Sequence, residues 1–211
     1  MMAHYFDDQP QVAHQVNEIT VSLCGRTFTF KTDRGVFSRQ RLDFGSRLLI
    51  KAVAEVEKSP TGRLLDLGCG YGAIGIIMKR LFPRLEVVLC DVNQRALDLA
   101  RQNASLNRTD YIEILKSDGM AAVQGPFDLI LTNPPIRQGK AVVYRFFREA
   151  AAGLAPGGRL YVVIRKKQGA PSALKELQGI FASAEVVQHK AGYWVIRAQN
   201  PLGSGKEQLK A

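Results

Sequence analysis

The sequence predicts an α/β fold in which a mostly parallel, doubly wound sheet of seven strands ends in an antiparallel hairpin, with a β-hairpin and a helix ahead of it. Three observations carry this expectation. From Arg63 to Arg165, strand-like apolar runs alternate with helical stretches, which calls for parallel strands joined by crossover helices. Two later runs, 184–189 and 193–198, are separated only by Lys190, Ala191 and Gly192, and so short a link permits only an antiparallel pair. The run 63–67 passes straight into Gly68, Gly70 and Gly72 and then a helix, the turn found at the ligand-binding edge of such sheets.

Each element follows from local pattern. Ile19, Val21 and Leu23 alternate, Cys24-Gly25-Arg26 turns, and Phe28 and Phe30 alternate back, so 18–31 reads as a hairpin. A basic stretch 31–41 leads to a helix over 46–58 with Ser46 as its N-cap, closed by Ser59-Pro60-Thr61-Gly62. Strands are expected at 63–67, 85–91, 111–116, 127–132 and 159–165, with helices at 73–81, 94–107, 141–154 and 172–181. Ile74, Ile77, Met78 and Leu81 give the first of these helices a core face. Leu154-Ala155-Pro156-Gly157-Gly158 reads as a stop, with Pro156 and Gly157 at the centre of a type II turn. This divides the chain into an N-terminal extension, 1–60, packed on a core, 61–201, and a flexible tail, 202–211.

Composition narrows the function. A chain of 211 residues suits one domain, and no apolar run approaches the ~18 residues of a membrane span. Residues 1–10 carry Asp7 and Asp8 and no apolar core, so they do not read as a signal peptide, and a cytoplasmic protein is expected. Cys24, Cys69 and Cys90 lack metal or disulfide spacing, His4, His14 and His189 are scattered, and no metal is expected. The net charge of +10 favours a polyanionic partner such as RNA.

The glycine loop admits two ligand classes. Gly68-x-Gly70-x-x-Ala73 satisfies a dinucleotide fingerprint, and Asp91, with Val92 beside it at the end of the second strand, would accept ribose hydroxyls of either cofactor. Three features favour S-adenosylmethionine. Asp66 suits the ammonium of a methionine moiety and would repel a pyrophosphate; alone it reads equally as a turn aspartate. Asp118-Gly119, after the third strand, places a short acceptor for an adenine amino group. Asn133-Pro134-Pro135 ends the fourth strand, where hydride transfer has no use for it. The cofactor loop is expected to use Gly68, Cys69, Gly70 and Gly72, with Asn133 also beside the cofactor.

An exocyclic amine on a heterocycle is a poor nucleophile because its lone pair delocalises into the ring. The Asn133 side-chain oxygen and the Pro134 carbonyl can accept its two hydrogens and turn the lone pair toward a methyl donor, and two prolines keep those acceptors stiff. The catalytic segment is therefore expected to be Asn133, Pro134, Pro135 and Ile136.

With those residues in place, the chain resembles bacterial methyltransferases that modify guanine N2 in small-subunit ribosomal RNA, the C-type family. The shared runs are Gly35-Val36-Phe37-Ser38, Leu42-Asp43-Phe44-Gly45-Ser46-Arg47-Leu48-Leu49, 66–72 and Thr132-Asn133-Pro134-Pro135-Ile136, across roughly residues 15 to 200. The resemblance implies a Rossmann-like class I methyltransferase fold, S-adenosylmethionine as cofactor, and ribosomal RNA or its assembling small subunit as partner. Longer members carry a second, degenerate domain ahead of this one, and an aromatic residue commonly follows the two prolines where Ile136 stands here.

Basic residues gather where RNA would lie. Lys31, Arg34, Arg39, Arg41, Arg47 and Lys51 form one run. Arg137, Lys140, Arg145 and Arg148 follow the catalytic loop, and Arg165-Lys166-Lys167 end the fifth strand. Arg137, Lys140, Arg39 and Arg41 are the expected substrate contacts. Adenine-N6 or protein-glutamine methylation, and a cofactor-bound RNA-binding module without catalysis, remain as alternatives at this point.

Overall fold

A computed structural model describes residues 16–33, 41–109 and 111–203. Gly35-Val36-Phe37-Ser38, Arg34, Arg39, His4, His14 and the tail after Gly203 lie outside the described residues. The chain opens with strands β1 (Asn17–Leu23) and β2 (Arg26–Thr32), paired antiparallel with Leu23 opposite Arg26. Cys24 and Gly25 take φ of 49° and 72° at the turn, a pair of positive values that a two-residue hairpin link needs. Helix α1 (Phe44–Glu57) starts two residues before the expected point. Asp43 is its N-cap, extended at φ −61° and ψ 156°, with Oδ1 accepting from the Ser46 amide at 2.9 Å. Ser46 thus lies inside the first turn, and the cap signal belongs to the residue three positions earlier.

The alternating part follows as β3 (Gly62–Leu67), α2 (Ala73–Leu81), β4 (Leu85–Asp91), α3 (Gln94–Leu106), β5 (Ile112–Lys116), β6 (Phe127–Thr132) and α4 (Lys140–Gly153). Strand β7 (Leu154–Arg165) begins directly after α4, earlier than the expected 159. The pairing jumps from Phe127 opposite Leu154 to Leu129 opposite Arg159, so 155–158 bulge out of the strand, with Gly157 at φ 76°. The turn chemistry of Pro156 and Gly157 is spent on this bulge and does not separate helix from strand. Helix α5 (Ala170–Ile180), β8 (Phe181–Lys190) and β9 (Tyr193–Pro201) complete the chain.

Among the described residues the main sheet has the order β5-β4-β3-β6-β7-β9-β8, parallel except for β9, which runs antiparallel to both neighbours. The seven-stranded sheet and closing hairpin expected from the sequence are present. Successive residues of the strands feed opposite cores, as a period of two requires. Leu64, Val87, Leu89, Leu129 and Leu131 join the side covered by the hairpin, α1, α2 and α3. Leu65, Val88, Phe127 and Ile130 join the side covered by α4 and α5. Each such fully buried side chain contributes roughly 1.5–3 kcal/mol relative to exposure.

The hairpin is fastened to α3 by side-chain amides. Asn103 accepts from the Lys31 amide at 2.7 Å and donates to the carbonyls of Lys31 and Tyr71 at 3.0 and 2.9 Å. One turn later, Asn107 accepts from the Thr29 amide at 3.1 Å and donates to the Thr29 carbonyl at 2.7 Å. The two asparagines face one way because four residues separate them on a helix, and they meet alternate residues of an extended strand. Asn103→Ala leaves buried backbone groups without partners, so the unfolding free energy is expected to fall by about 2–3 kcal/mol in urea titrations; an unchanged midpoint contradicts this account.

Candidate active site

An open cavity of about 960 Å³ lies at the carboxyl edge of β3, β4 and β6. The glycine loop after β3 enters it through Gly68, Cys69 and Gly70, and the end of β4 through Asp91 and Val92. Asp118 and Gly119 after β5, and Asn133, Pro134, Pro135 and Ile136 after β6, complete the walls expected from the sequence.

Positive φ explains the loop glycines: 74° at Gly68, 55° at Gly70 and 85° at Gly72. Gly68 and Cys69 amides donate to the Cys90 carbonyl at 3.0 and 2.9 Å, and the Gly70 amide donates to Asp91 Oδ2 at 2.8 Å. A Cβ on Gly70 would meet no protein atom within 4 Å, and one on Gly68 would meet only the Phe146 ring at 3.4 Å. The loop therefore presents bare backbone to the cavity, a cradle for a ligand that needs close approach. Gly72 differs. It caps α2, does not line the cavity, and a Cβ there would come within 3.0–3.1 Å of Ile76, Ala100 and Leu89. Its constraint in this structure is packing.

Asp66 lies deeper than the loop glycines. It is fully buried beneath the loop and does not line the cavity. Oδ2 accepts from the Gly75 amide at 2.9 Å, while Oδ1 has no hydrogen-bond partner. Burial, and then the charge of Asp91, push its pKa up to about 7. Asp91 is raised as well by burial, against the stabilising amides of Asn93, Gly70 and Val92. The thiols of Cys69 and Cys90 are pushed up by burial, Cys90 to about 12, so neither is a nucleophile at neutral pH.

After β6, Thr132 Oγ1 donates to the Leu67 carbonyl at 2.8 Å, tying the Asn-Pro-Pro loop to the root of the glycine loop. Both amide hydrogens of Asn133 are used: Nδ2 donates to Asp43 Oδ1 at 3.2 Å and to Ser46 Oγ at 3.1 Å. Oδ1 is left as the acceptor. Pro135 sits at φ −75° and ψ 76°, and the Ile136 amide donates back to the Pro134 carbonyl at 2.8 Å, an inverse γ-turn that sets the direction of that carbonyl. Ile136 lines the cavity and packs against the α4 and α5 core.

Charge at the rim is partly committed. Arg145 grips Asp118 with two hydrogen bonds of 3.0 and 2.5 Å, which holds the Asp118 carboxyl below its usual range. Arg148 pairs with Glu176 at 3.0 Å. Two members of the basic cluster are therefore neutralised. Arg137 lines the cavity, whereas Lys140 and Arg41 are exposed beside it, and Arg39 lies outside the described residues. Arg165, expected in a basic cluster at this edge, lines the cavity, and sequence reasoning missed Tyr193, Phe146 and Ser46, which also line it. The run around Ser46 carried a signal through its resemblance; Tyr193, on an ordinary strand, carried none.

The sequence matches the Methyltransferase small domain family over residues 27–197. The uncharacterized protein YbxB of Bacillus subtilis is 43% identical over 201 residues, which are 94% of this chain and 99% of that one. Ribosomal RNA small subunit methyltransferase C of Hahella chejuensis is 40% identical over 136 residues, 63% of this chain and 39% of its own length. The 16S rRNA N2 methyltransferase RsmC of Thermus thermophilus, solved in complex with AdoMet and guanosine, superposes with a TM-score of 0.79 at 28% identity over 91% of this chain and 52% of that one. The chain thus spans 39% and 52% of the latter two proteins. Among the described residues no helix is long and apolar enough to cross a membrane.

Asp66 makes stability depend on pH in a defined direction. Its folded-state pKa of about 7 lies above the ordinary 3.8, so the folded protein keeps this proton longer, and stability falls as pH rises from about 4 to 7. Asp66→Asn can still accept from the Gly75 amide and has no charge to bury. The variant is expected to gain roughly 2–4 kcal/mol on the parent between pH 4 and 7.5, read as unfolding free energies at both values. A gap that does not change with pH overturns this reading.

Proposed function

The chain belongs to the Methyltransferase small domain family, and from that premise we propose that it methylates an exocyclic amine of RNA, with guanine N2 of small-subunit ribosomal RNA as acceptor. The cofactor is S-adenosylmethionine, which when bound supplies an electrophilic methyl group on a sulfonium. The bare cradle at Gly68 and Gly70 fits such a group, because a ligand can approach the backbone there without meeting a side chain. Asp91 accepts a ribose hydroxyl; the amides of Gly70, Asn93 and Val92 leave its two oxygens acceptor capacity to spare. Val92 and Cys69 supply apolar wall, and Asp118 and Gly119 border the adenine. Asp66 acts from below, holding the start of α2 against β3 by accepting from the Gly75 amide.

One observation carries the chemical reading. Asn133 is pinned through Nδ2, so its Oδ1 and the fixed Pro134 carbonyl remain as two acceptors on a cavity shared with the glycine loop. Two acceptors match the two hydrogens of an amine. Engaging both turns the nitrogen lone pair out of conjugation and toward the methyl donor. Held this way, the amine nitrogen would face the methyl group that a bound S-adenosylmethionine would supply, and the amine proton would pass to water. Asn133 is neutral and orients the amine without taking the proton. Pro135 and Ile136 hold the segment, and Ile136 offers an aliphatic surface to the base.

The RsmC neighbour carries AdoMet and guanosine, which supports the same ligand pair here. Arg137 at the cavity, with Lys140 three residues further along and exposed, places positive charge where the phosphates of an extruded nucleotide would run. Asn133→Ala is expected to keep cofactor affinity within threefold by calorimetry, while methyl transfer from labelled S-adenosylmethionine to small-subunit RNA drops on the order of 10²–10³. Transfer at the parental rate removes the loop from the mechanism, and transfer to protein in place of RNA overturns the substrate.

A further inference from the structure

The Asn-Pro-Pro loop offers the acceptor no aromatic surface, because Ile136 follows the prolines, yet an aromatic ring stands in the same cavity. Tyr193 lines it together with Asn133, Pro134 and Pro135. The ring comes from the first residue of β9, directly after a tight turn in which Ala191 and Gly192 take φ of 49° and 78°. Its backbone faces Arg165 across the sheet, and the Lys166 amide donates to the Gly192 carbonyl at 2.7 Å. Tyr193 therefore stands on rigid backbone.

The ring is also held from the side. Phe44 approaches it with centroids 5.5 Å apart and planes at 38°. Phe44 is itself 40% exposed, so this aromatic pair runs from the solvent to Tyr193, which is half-buried against the core beside the cavity. Gly45 leaves no room: a Cβ there would sit 3.1 Å from Tyr193 Cε1 and 3.1 Å from Asp43 Oδ1. Asp43 and Ser46 hold Asn133. A single five-residue segment, Leu42 to Ser46, thus sets the positions of the amine acceptor and of the ring.

We propose that Tyr193 is the aromatic wall on which the acceptor base stacks, doing from β9 what the residue after the prolines does not. This rests on the reading of the site as an RNA base methyltransferase. A purine amine must be presented in a fixed plane to two acceptors, and a flat ring beside those acceptors fixes a plane as an aliphatic side chain cannot. The exposed Arg165 guanidinium, 5.6 Å from the ring centroid, supplies charge for the phosphate of the same nucleotide.

Trp194 is the only tryptophan in the chain, so Tyr193→Trp in a Trp194→Phe background places a single reporter at the wall. Titration with guanosine monophosphate in the presence of S-adenosylhomocysteine is expected to quench its fluorescence saturably, while ribose phosphate does not. No quenching, or equal quenching by both, overturns the wall. In kinetic assays on small-subunit RNA, Tyr193→Ala should raise the acceptor KM roughly ten- to hundredfold with cofactor Kd within twofold, and Tyr193→Phe should restore KM to within threefold of the parent. A KM unchanged in Tyr193→Ala, or a cofactor Kd that worsens as much as the KM, overturns the proposal. If the parent methylates no RNA, the proposed function falls, and the fluorescence titration still decides whether the ring stacks a base.

Discussion

Strand β3 pairs with β6, laying Leu64, Leu65 and Asp66 beside Leu129, Ile130 and Leu131. These strands are consecutive neither in the chain nor in the crossover pattern, and the sheet changes direction between them. At such a point the loops leaving the two carboxyl ends diverge and open a crevice. The glycine loop and the Asn-Pro-Pro loop are the two loops that leave here, and the Thr132 hydroxyl on the Leu67 carbonyl locks their roots together. Everything else in the site is arranged around that junction. Asp91 reaches it because β4 flanks β3 on the other side, and its carboxylate completes the loop by accepting from Gly70.

The N-terminal portion is part of the site and not a decoration on it. Helix α1 points its capped end at the cavity, where Asp43 does two things with one oxygen: it accepts from the Ser46 amide and from Asn133 Nδ2. Its far end is moored. Glu57 takes two hydrogen bonds from Arg159, at 2.8 and 2.7 Å, and one from the Tyr161 hydroxyl. A charged pair shielded in this way resists the sliding of α1 along β7 that would carry Asp43 away from Asn133.

Much of this was legible in the sequence because it follows from periodicity and from glycine. The β/α alternation, the antiparallel closing pair and the loop glycines at 68 and 70 are dictated by side-chain period, link length and positive φ, all of them local. The cap of α1 was misassigned because aspartate and serine both cap well, and only the Asn133 contact, ninety residues away, favours one arrangement. The burial of Asp66 was hidden for a related reason. A carboxylate beside a glycine loop suggests a ligand, but the last inward residue of a central strand faces the core, and burial is a property of the sheet. Gly72 looked like its fellow glycines although its neighbours are Leu89 and Ala100 from other elements. Tyr193 was invisible because an aromatic at the start of a strand is ordinary until the strand is placed.

The asparagine clasp between α3 and the hairpin has an evolutionary consequence. Asn103 and Asn107 bind Thr29 and Lys31 through backbone groups of those residues. The strand contributes geometry to the clasp and no side-chain identity. Positions 29 and 31 are therefore free to drift among all residues that keep a backbone N–H, proline alone being barred. The helix has no such freedom, since only a primary amide both donates and accepts at the required reach. Divergence along this seam should be one-sided, with the hairpin varying while two amides one helical turn apart persist.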